Sequence, residues 1–430
     1  MPALLIKNGR VIDPASGHDG IADVWIEDGL IKAVIQGGVG AGVTPAGGEI
    51  FDATGLVVAP GFIDMHVHLR EPGFEHAETI ESGARAAAAG GFTSICPMPN
   101  TAPVNDSATV TAYIVEQARR HAVVNVFPIG AITKGSKGEE LAAIGSMQRA
   151  GAVAISDDGR PVMNARLMRR AMEFARSFGM PVINHCEDLH LSAGGDMHEG
   201  PQSVRLGLRG IPGCSEDVMV ARDILLAEVT GARYHVAHIS SRHSVQMVAF
   251  AKLKNLAVTS EVTPHHLALA DTDIIPYDSN YKMKPPLRAT SDVNAVVEGV
   301  VAGAIDAIAT DHAPHSGSDK MQEFEKCPFG IIGLETALGL ALEHLVHNGK
   351  IELSRLVELF TINPARILGL SRGTLAIGAP GDVTIFSTER RWTYDVNQSL
   401  SKSRNSPFDG AAFRGGPVAT IVNGAIVWRV

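Results

Sequence analysis

His66 and His68 stand one residue apart in the stretch APGFIDMHVHLREPG, directly after an apolar run. In an extended segment, residues i and i+2 face the same side, so both imidazoles can turn toward one metal ion. An HxH pair alone carries little, because histidines near strand ends are common. Its company carries more: His185 in INHCED, His238 in AHIS and Asp311 in TDHAPH each close an apolar, strand-like run. Imidazole nitrogens combined with carboxylates suit Zn2+ and its relatives. Five such groups exceed one tetrahedral site and point to two ions with a bridging ligand. The bridge must be anionic and lie at a strand end. Asp158 (or Asp157) in AISDDGR needs no modification, and Asp158 is favoured. Lys134 in AITKGSKG is the other candidate, but a lysine could bridge only after carboxylation.

Arg70 lies two residues beyond His68 and shares its face if extension persists. An inward guanidinium at a metal site implies an anionic substrate carboxylate, gripped bidentately. Asn100 in MPNT and His315 in DHAPH supply further donors from neighbouring strand ends. Asp311 has two readings: a ligand only, or a ligand that also acts as general base. Cys96 and Cys186 are expected to pack as small apolar groups. Residues 316–327, SGSDKMQEFEKC, form a polar run after the last cluster and read as a lid.

Elements must place these groups together. Short apolar runs (FTSICPMPN, NVFPIGAIT, AVAISDDG, PVINHCED, RYHVAHIS, AVTSEVTPHH, AIDAIATDHAPH) alternate with helix-forming stretches such as AETIESGARAAAAG and ARLMRRAMEFARSFG. About eight strand–helix units fit a (β/α)8 TIM barrel. Each run ends in a polar cluster, and a barrel gathers such ends in one ring at its C-terminal face. A doubly wound open sheet would spread them along an edge, and no GxGxxG follows the first strand. Both chain ends are β-rich, with Asn8 and Gly9, Asp28 and Gly29, and Asn423 and Gly424 as hairpin signals. The expected organisation is a small β-sandwich domain from residues 1–57 and 372–430 around a barrel of residues 58–371.

Composition removes other classes. At 430 residues the chain exceeds one small core. A net charge of −9 with no dominant basic patch argues against nucleic acid and acidic membranes as partners. No run approaches the roughly 18 apolar residues of a membrane span. The N-terminus lacks the layout of a secretory signal. Four scattered cysteines without a CxxC pair suit a reducing cytoplasm, the expected location.

Joined together, GFIDMHVHLREPG, GGFTSICPMPNTAPVND, INHCED, VAHIS, YKMKPPLR and ATDHAPH closely resemble the dihydroorotases of the amidohydrolase superfamily, in their class I bacterial form. The resemblance spans essentially the whole chain. It implies a barrel with a small β-sandwich, and two zinc ions per subunit with the occupancy of the second left open. It also implies reversible interconversion of N-carbamoyl-L-aspartate and L-dihydroorotate in pyrimidine biosynthesis. By that resemblance His66, His68 and Asp311 would bind the more buried zinc, and His185 and His238 the other. Asp158 would bridge, where many relatives carry a carboxylated lysine. Arg70, Asn100 and His315 would hold the substrate carboxylate, His68 would border it, and the backbone at Phe329 and Gly330 would contact the ring. Asp311 would pass a proton from the attacking water to the departing ring nitrogen. Lys284 stands where the family often has asparagine before PPLR, a departure that puts a cation at an expected substrate contact. Two rivals follow: a hydantoinase- or allantoinase-like cyclic amidase, and a non-catalytic dihydroorotase-like subunit of aspartate transcarbamoylase. A homodimer and a transcarbamoylase partner are family expectations.

Overall fold

A computed structural model describes residues 3–37 and 48–430. The short apolar runs of the middle of the chain form the strands Phe62–Val67, Phe92–Pro97, Asn125–Val126 continued by Ile129–Gly130, Ala154–Ile155, Val182–Asn184, Tyr234–Val236, Val258–Val262 and Ala307–Ile308. Each pairs in parallel with the next, the third strand pairing backward through its first half and forward through its second. The ring then closes. Val67 bridges His312 in parallel, the His68 N–H donates to the His312 carbonyl at 2.8 Å, and the buried Asp64 carboxylate accepts from the Thr310 N–H at 3.1 Å and its hydroxyl at 2.6 Å. The result is the (β/α)8 barrel expected of parallel strands joined by helices.

The intervening helices bury one stripe each. Ala165–Ser177 is capped by the Asn164 side chain and turns Met168, Ala171, Met172 and Ala175 inward, the i, i+3, i+4, i+7 spacing of one face. Ile80–Ala89 begins with a capping box between Thr79 and Ser82 and packs a face of small alanines against the barrel. Among the described residues no helix is long and apolar enough to cross a membrane.

Both chain ends build one eight-stranded sheet, ordered Ala425–Arg429, Ala412–Val422, Val383–Thr393, Val57–Pro60, Leu4–Asp13, His18–Glu27 and Leu30–Gln36, with Glu49–Asp52 beside Leu4–Asp13. This is the small β-sandwich, folded over a core that includes Leu4, Ile6, Val24, Ile26, Val58, Val383, Ile385 and Ile421. Val57–Pro60 is its seam, parallel to the first strand and antiparallel to Val383–Thr393. Residues 1–2 and 38–47 of the expected domain lie outside the described residues.

Two hairpin signals act as expected: Asp28 and Gly29, then Asn423 and Gly424, sit at positive φ between paired strands. The third does not. Asn8 and Gly9 lie inside Leu4–Asp13, where Asn8 takes φ 64° and the register shifts between Ile6 and Gly9. Turn and bulge ask for the same left-handed residue, so the dipeptide cannot tell them apart. A Cβ on Gly9 would lie 2.4 Å from Val58 Cγ2, so the bulge also needs glycine for its close approach to the seam. The hairpin turn falls at residues 14–17 instead.

Barrel and sheet meet at the foot of the first barrel strand. The Phe62 ring stacks on Phe360 at 5.0 Å and meets Phe386 of the sheet at 5.8 Å and Phe92 at 6.3 Å. The Phe62 N–H donates to the Thr384 hydroxyl at 3.0 Å, which donates on to the Gly91 carbonyl at 2.6 Å. Phe62→Ala should therefore cost about 3–5 kcal/mol in urea unfolding, the usual range for a buried aromatic truncated to alanine. A loss below about 1 kcal/mol would show that the four rings do not join the two layers tightly.

Candidate metal centre

Asp158, at the end of the fourth barrel strand, is 6 % exposed and faces four imidazoles. Its Oδ1 lies 3.4 Å from His66 Nε2, 3.7 Å from His185 Nδ1 and 3.8 Å from His238 Nε2, and its Oδ2 lies 3.5 Å from His68 Nε2. Asp311, beyond the eighth strand, places Oδ1 2.9 Å from His68 Nε2 and 3.5 Å from His66 Nε2. The ligand atoms of His66, His238 and Asp311, of His66, His68 and Asp158, and of Asp158, His185 and His238 fall within 4.8 Å of one another in each set. These overlapping sets of buried nitrogen and oxygen donors fit a metal site.

A second observation supports the fit. Among the described residues His66 Nε2 and Asp158 Oδ1, both facing the cluster, are buried and make no hydrogen bond. Buried polar atoms are nearly always paired, so these await a partner. Acceptors behind the rings set the direction of the free lone pairs. His66 Nδ1 donates to Glu261 Oε1 at 2.7 Å, His68 Nδ1 to Asn100 Oδ1 at 2.8 Å, and His185 Nε2 to Glu187 Oε2 at 3.0 Å. In each ring the opposite nitrogen faces the cluster, the arrangement that metal-ligating histidines use.

The charges are mutually supporting. Burial would push Asp158 and Asp311 up, but the surrounding imidazoles, His66 foremost, hold both carboxyls well below the usual range. Burial would lower His66, yet Asp158, Asp311 and Glu261 raise it above an ordinary histidine. Glu261, fully buried, is held down to about 2 by His66 and His235 against the same desolvation.

The other bridging candidates stand elsewhere. Asp157 is committed to Ile132 and Thr133, accepting both N–H groups at Oδ1 and the Thr133 hydroxyl at Oδ2. The Lys134 ammonium pairs with Glu140 at 2.6 Å, with over half of its side chain exposed.

Arg70 reaches the expected neighbourhood by a different path. Extension does not persist past His68: Arg70 takes φ 62°, and its Nε donates to the Pro314 carbonyl at 3.0 Å while Nη2 approaches His315 Nε2 at 3.4 Å. Burial pulls its guanidinium down to about 10, still charged. His315 Nε2 lies 2.8 Å from the Phe329 carbonyl and donates to it. Burial, then Arg70 and Lys320, push His315 down to about 3, so it is a neutral imidazole. Gly330 takes φ 134°, and a Cβ there would meet Ala313 Cβ at 2.7 Å. His238 and Asp311 also hold positive φ, 32° and 46°. Such strain in non-glycine residues collects at functional sites, where surrounding contacts enforce it.

Sequence reasoning missed Glu261 and Glu187. Both had a signal: Glu261 is a lone carboxylate inside the apolar strand TSEVT, and Glu187 follows His185 at the same i, i+2 spacing as the HxH pair. Glu187 also explains Lys284, whose ammonium lies 2.7 Å from Glu187 Oε1 and 4.7 Å from the Phe329 ring centre. Residues 316–327, expected as a lid, are pinned from below. Lys282 Nζ donates to the carbonyls of Phe324 at 2.6 Å and Glu325 at 3.1 Å, and Lys320 Nζ to those of Pro328 at 2.9 Å and Lys282 at 3.2 Å. Cys96 and Cys186 are buried and their thiols are pushed up by desolvation, as expected of packing residues.

A closed barrel with a buried His/Asp cluster at its C-terminal strand ends has the build of an enzyme with a metal site. Residues 231–428 match the amidohydrolase family, and residues 55–244 match the family described as dihydro-orotase-like. Over 425 residues the chain is 71% identical to the dihydroorotase of Solibacter usitatus, covering 99% of this chain and 98% of that one. Over 426 residues it is 54% identical to the dihydroorotase of Pelotomaculum thermopropionicum, with the same coverage of 99% and 98%. The chain belongs to the dihydroorotase family. Among solved structures, the L-hydantoinase (dihydropyrimidinase) of Arthrobacter aurescens superposes with a TM-score of 0.88 at 26% identity, covering 100% of this chain and 96% of that one. The dihydropyrimidinase of Brevibacillus agri, at 24% identity and a TM-score of 0.86 over 99% and 95% of the chains, shows the shared fold.

Glu261→Gln should lower metal affinity about 10- to 100-fold, the usual effect of losing the carboxylate behind a ligating imidazole. Competition against a chelator reads this directly. Unchanged affinity would show that His66 needs no orienting acceptor.

Proposed function

We propose that this chain catalyses the reversible hydrolysis of L-dihydroorotate to N-carbamoyl-L-aspartate, the ring-closing step of pyrimidine synthesis when run in reverse. The observation that carries the reading is a buried guanidinium beside a cluster suited to hydrolysis: Arg70 meets His315 Nε2 at 3.4 Å within the field of Asp311 and Asp158, and Asn100 links His68 to Asp158 through contacts of 2.8 and 3.4 Å. A ring amide without a carboxylate gives no use for a buried guanidinium there.

His66, His68, Asp158, His185, His238 and Asp311 would hold the metal, which we propose to be two zinc ions sharing Asp158. When bound, the metal polarises the amide carbonyl and makes water nucleophilic at neutral pH. The chain supplies the rest. Arg70, Asn100 and His315 bind the substrate carboxylate, the neutral His315 by turning its Nε2–H from the Phe329 carbonyl to the ligand, and the backbone at Phe329 and Gly330 lies along the ring. Lys284, held by Glu187, stands over Phe329 as a further cation for an anionic ligand. Asp311, kept ionised, accepts the proton of the attacking water and returns it to the departing ring nitrogen. Positioned this way, the reacting groups need little reorganisation.

A hydantoinase- or allantoinase-like activity is the second reading, favoured by the fold shared with the Arthrobacter enzyme. Against it stand Arg70 and the place of Lys134, paired with Glu140 rather than turned to the cluster. A purely scaffolding subunit would have no use for six converging donors. A homodimer, an aspartate transcarbamoylase partner, a cytoplasmic location and the domain limits 1–57 with 372–430 and 58–371 are proposed on the family and the sequence alone.

Metal content measured beside hydrolysis of dihydroorotate, hydantoin and allantoin tests the assignment: turnover of dihydroorotate alone is expected, and hydantoin as the better substrate would overturn it. Asp311→Asn, with metal retained, should lower kcat about 10²- to 10⁴-fold, the span of a lost general base. Near-normal turnover in that variant would remove Asp311 from proton transfer.

A further inference from the structure

The two loops read as gripping the substrate are joined by a residue remote from both in sequence. Asn405 follows the sheet strand Val383–Thr393 by more than one turn of irregular chain and is 3 % exposed. Its carboxamide oxygen accepts from the His315 N–H at 3.1 Å. Its carboxamide nitrogen donates to the Ala313 carbonyl and to the Gly330 carbonyl, each at 3.0 Å. Its own carbonyl accepts from the Ile332 N–H at 2.9 Å. A single side chain thus satisfies three backbone groups on two separate loops. The loops also meet through the Ala313 N–H to the Ile331 carbonyl at 2.7 Å, a bridge between His312 and Ile331, the His315 Nε2–H to the Phe329 carbonyl at 2.8 Å and the Gly333 N–H to His312 Nδ1 at 3.2 Å. The same C-terminal segment is fastened nearby: the Lys402 N–H and the Ser401 hydroxyl donate to Glu78, which also faces His312 Nε2 at 3.2 Å.

We infer that Asn405 is a positioning residue for substrate, fixing the His315 loop against Phe329 and Gly330 without itself touching the ligand. The inference rests on the reading of those three residues as substrate contacts. Its physical basis is the directional demand of the pair. An amide offers one acceptor and two donors, and all are used here in the only orientation that matches one N–H and two carbonyls. No other side chain of this size carries both. Loss of the amide frees the two loops to separate, and a displacement of about 1 Å in a grip on substrate is enough to cost about 10²-fold. The metal donors are untouched by the change, since none of them bonds to Asn405.

The test uses the metal-loaded full chain. Asn405→Asp keeps shape and the acceptor for His315 but sets a carboxylate oxygen against the Ala313 and Gly330 carbonyls. We expect KM for dihydroorotate to rise about tenfold or more, kcat to fall less than about threefold, and metal content to stay at the parental level. Asn405→Ser removes the two donors without adding charge, and should show the same KM-weighted defect if the Asp variant does not fold. A KM within about twofold of the parent in the folded variants, or a defect confined to kcat, overturns the inference. His315→Ala tests the underlying reading separately. If its KM is unmoved, the substrate grip is misplaced and the inference falls with it. If its KM rises while the Asn405 variants stay parental, only the inference falls. In the double variant Asn405→Asp/His315→Ala, an effect on KM smaller than the product of the two singles is expected. Full additivity would place Asn405 outside the grip.

Discussion

A carboxylate buried among imidazoles is the constraint on which the site depends. Asp158 loses its water, and an isolated ion in that position would cost several kcal/mol. Four rings and the Asn100 amide surround it instead, at 3.4–3.8 Å, and the rings come from three other strands: His66 and His68 from the first, His185 from the fifth and His238 from the sixth. Their convergence requires the barrel to close. The closing contacts, the Asp64 carboxylate on Thr310 and the His68 N–H on the His312 carbonyl, lie directly beneath the donors that they register.

Around this centre stands a second set of acceptors whose task is direction. Glu261, Glu187 and Asn100 each take the outward N–H of one ring, which leaves its other nitrogen facing the cluster. Positive φ at Arg70, His238 and Asp311 shows the backbone bent to the same end. Conformations of this kind persist where surrounding bonds over-determine them. Here the cross-barrel pairing and the loop contacts of Arg70 with Pro314 do so.

The sheet built from both termini is part of the site's support. Phe62 ties its barrel strand to Phe386 of the sheet, and the segment leading on from Val383–Thr393 returns to the catalytic face. There Ser401 and Lys402 meet Glu78, and Asn405 meets the loops after the eighth strand. A segment far from the HxH pair in sequence thus braces the loops beside the cluster.

What the sequence by itself determined was local: residue types at i, i+2 spacing, apolar runs ending in polar clusters, and turn residues between strands. Those features placed the metal donors on strand ends and gave the barrel, because both follow from the two-residue period of a strand and from where parallel strands end. Tertiary structure decided the rest. Asp157 and Asp158 are equal in sequence, and only the pairing of Asp157 with Ile132 and Thr133 separates them. Asn8 and Gly9 suit a turn or a bulge, and the approach of Val58 decided for the bulge. Nothing in the residues around Lys284 marks its partner, and only the fold sets Glu187, 97 residues away, beside its ammonium. Asn405, 90 residues from His315, left no local trace at all. Hydrogen bonds across such separations depend on chain closure, and no period in the sequence encodes them.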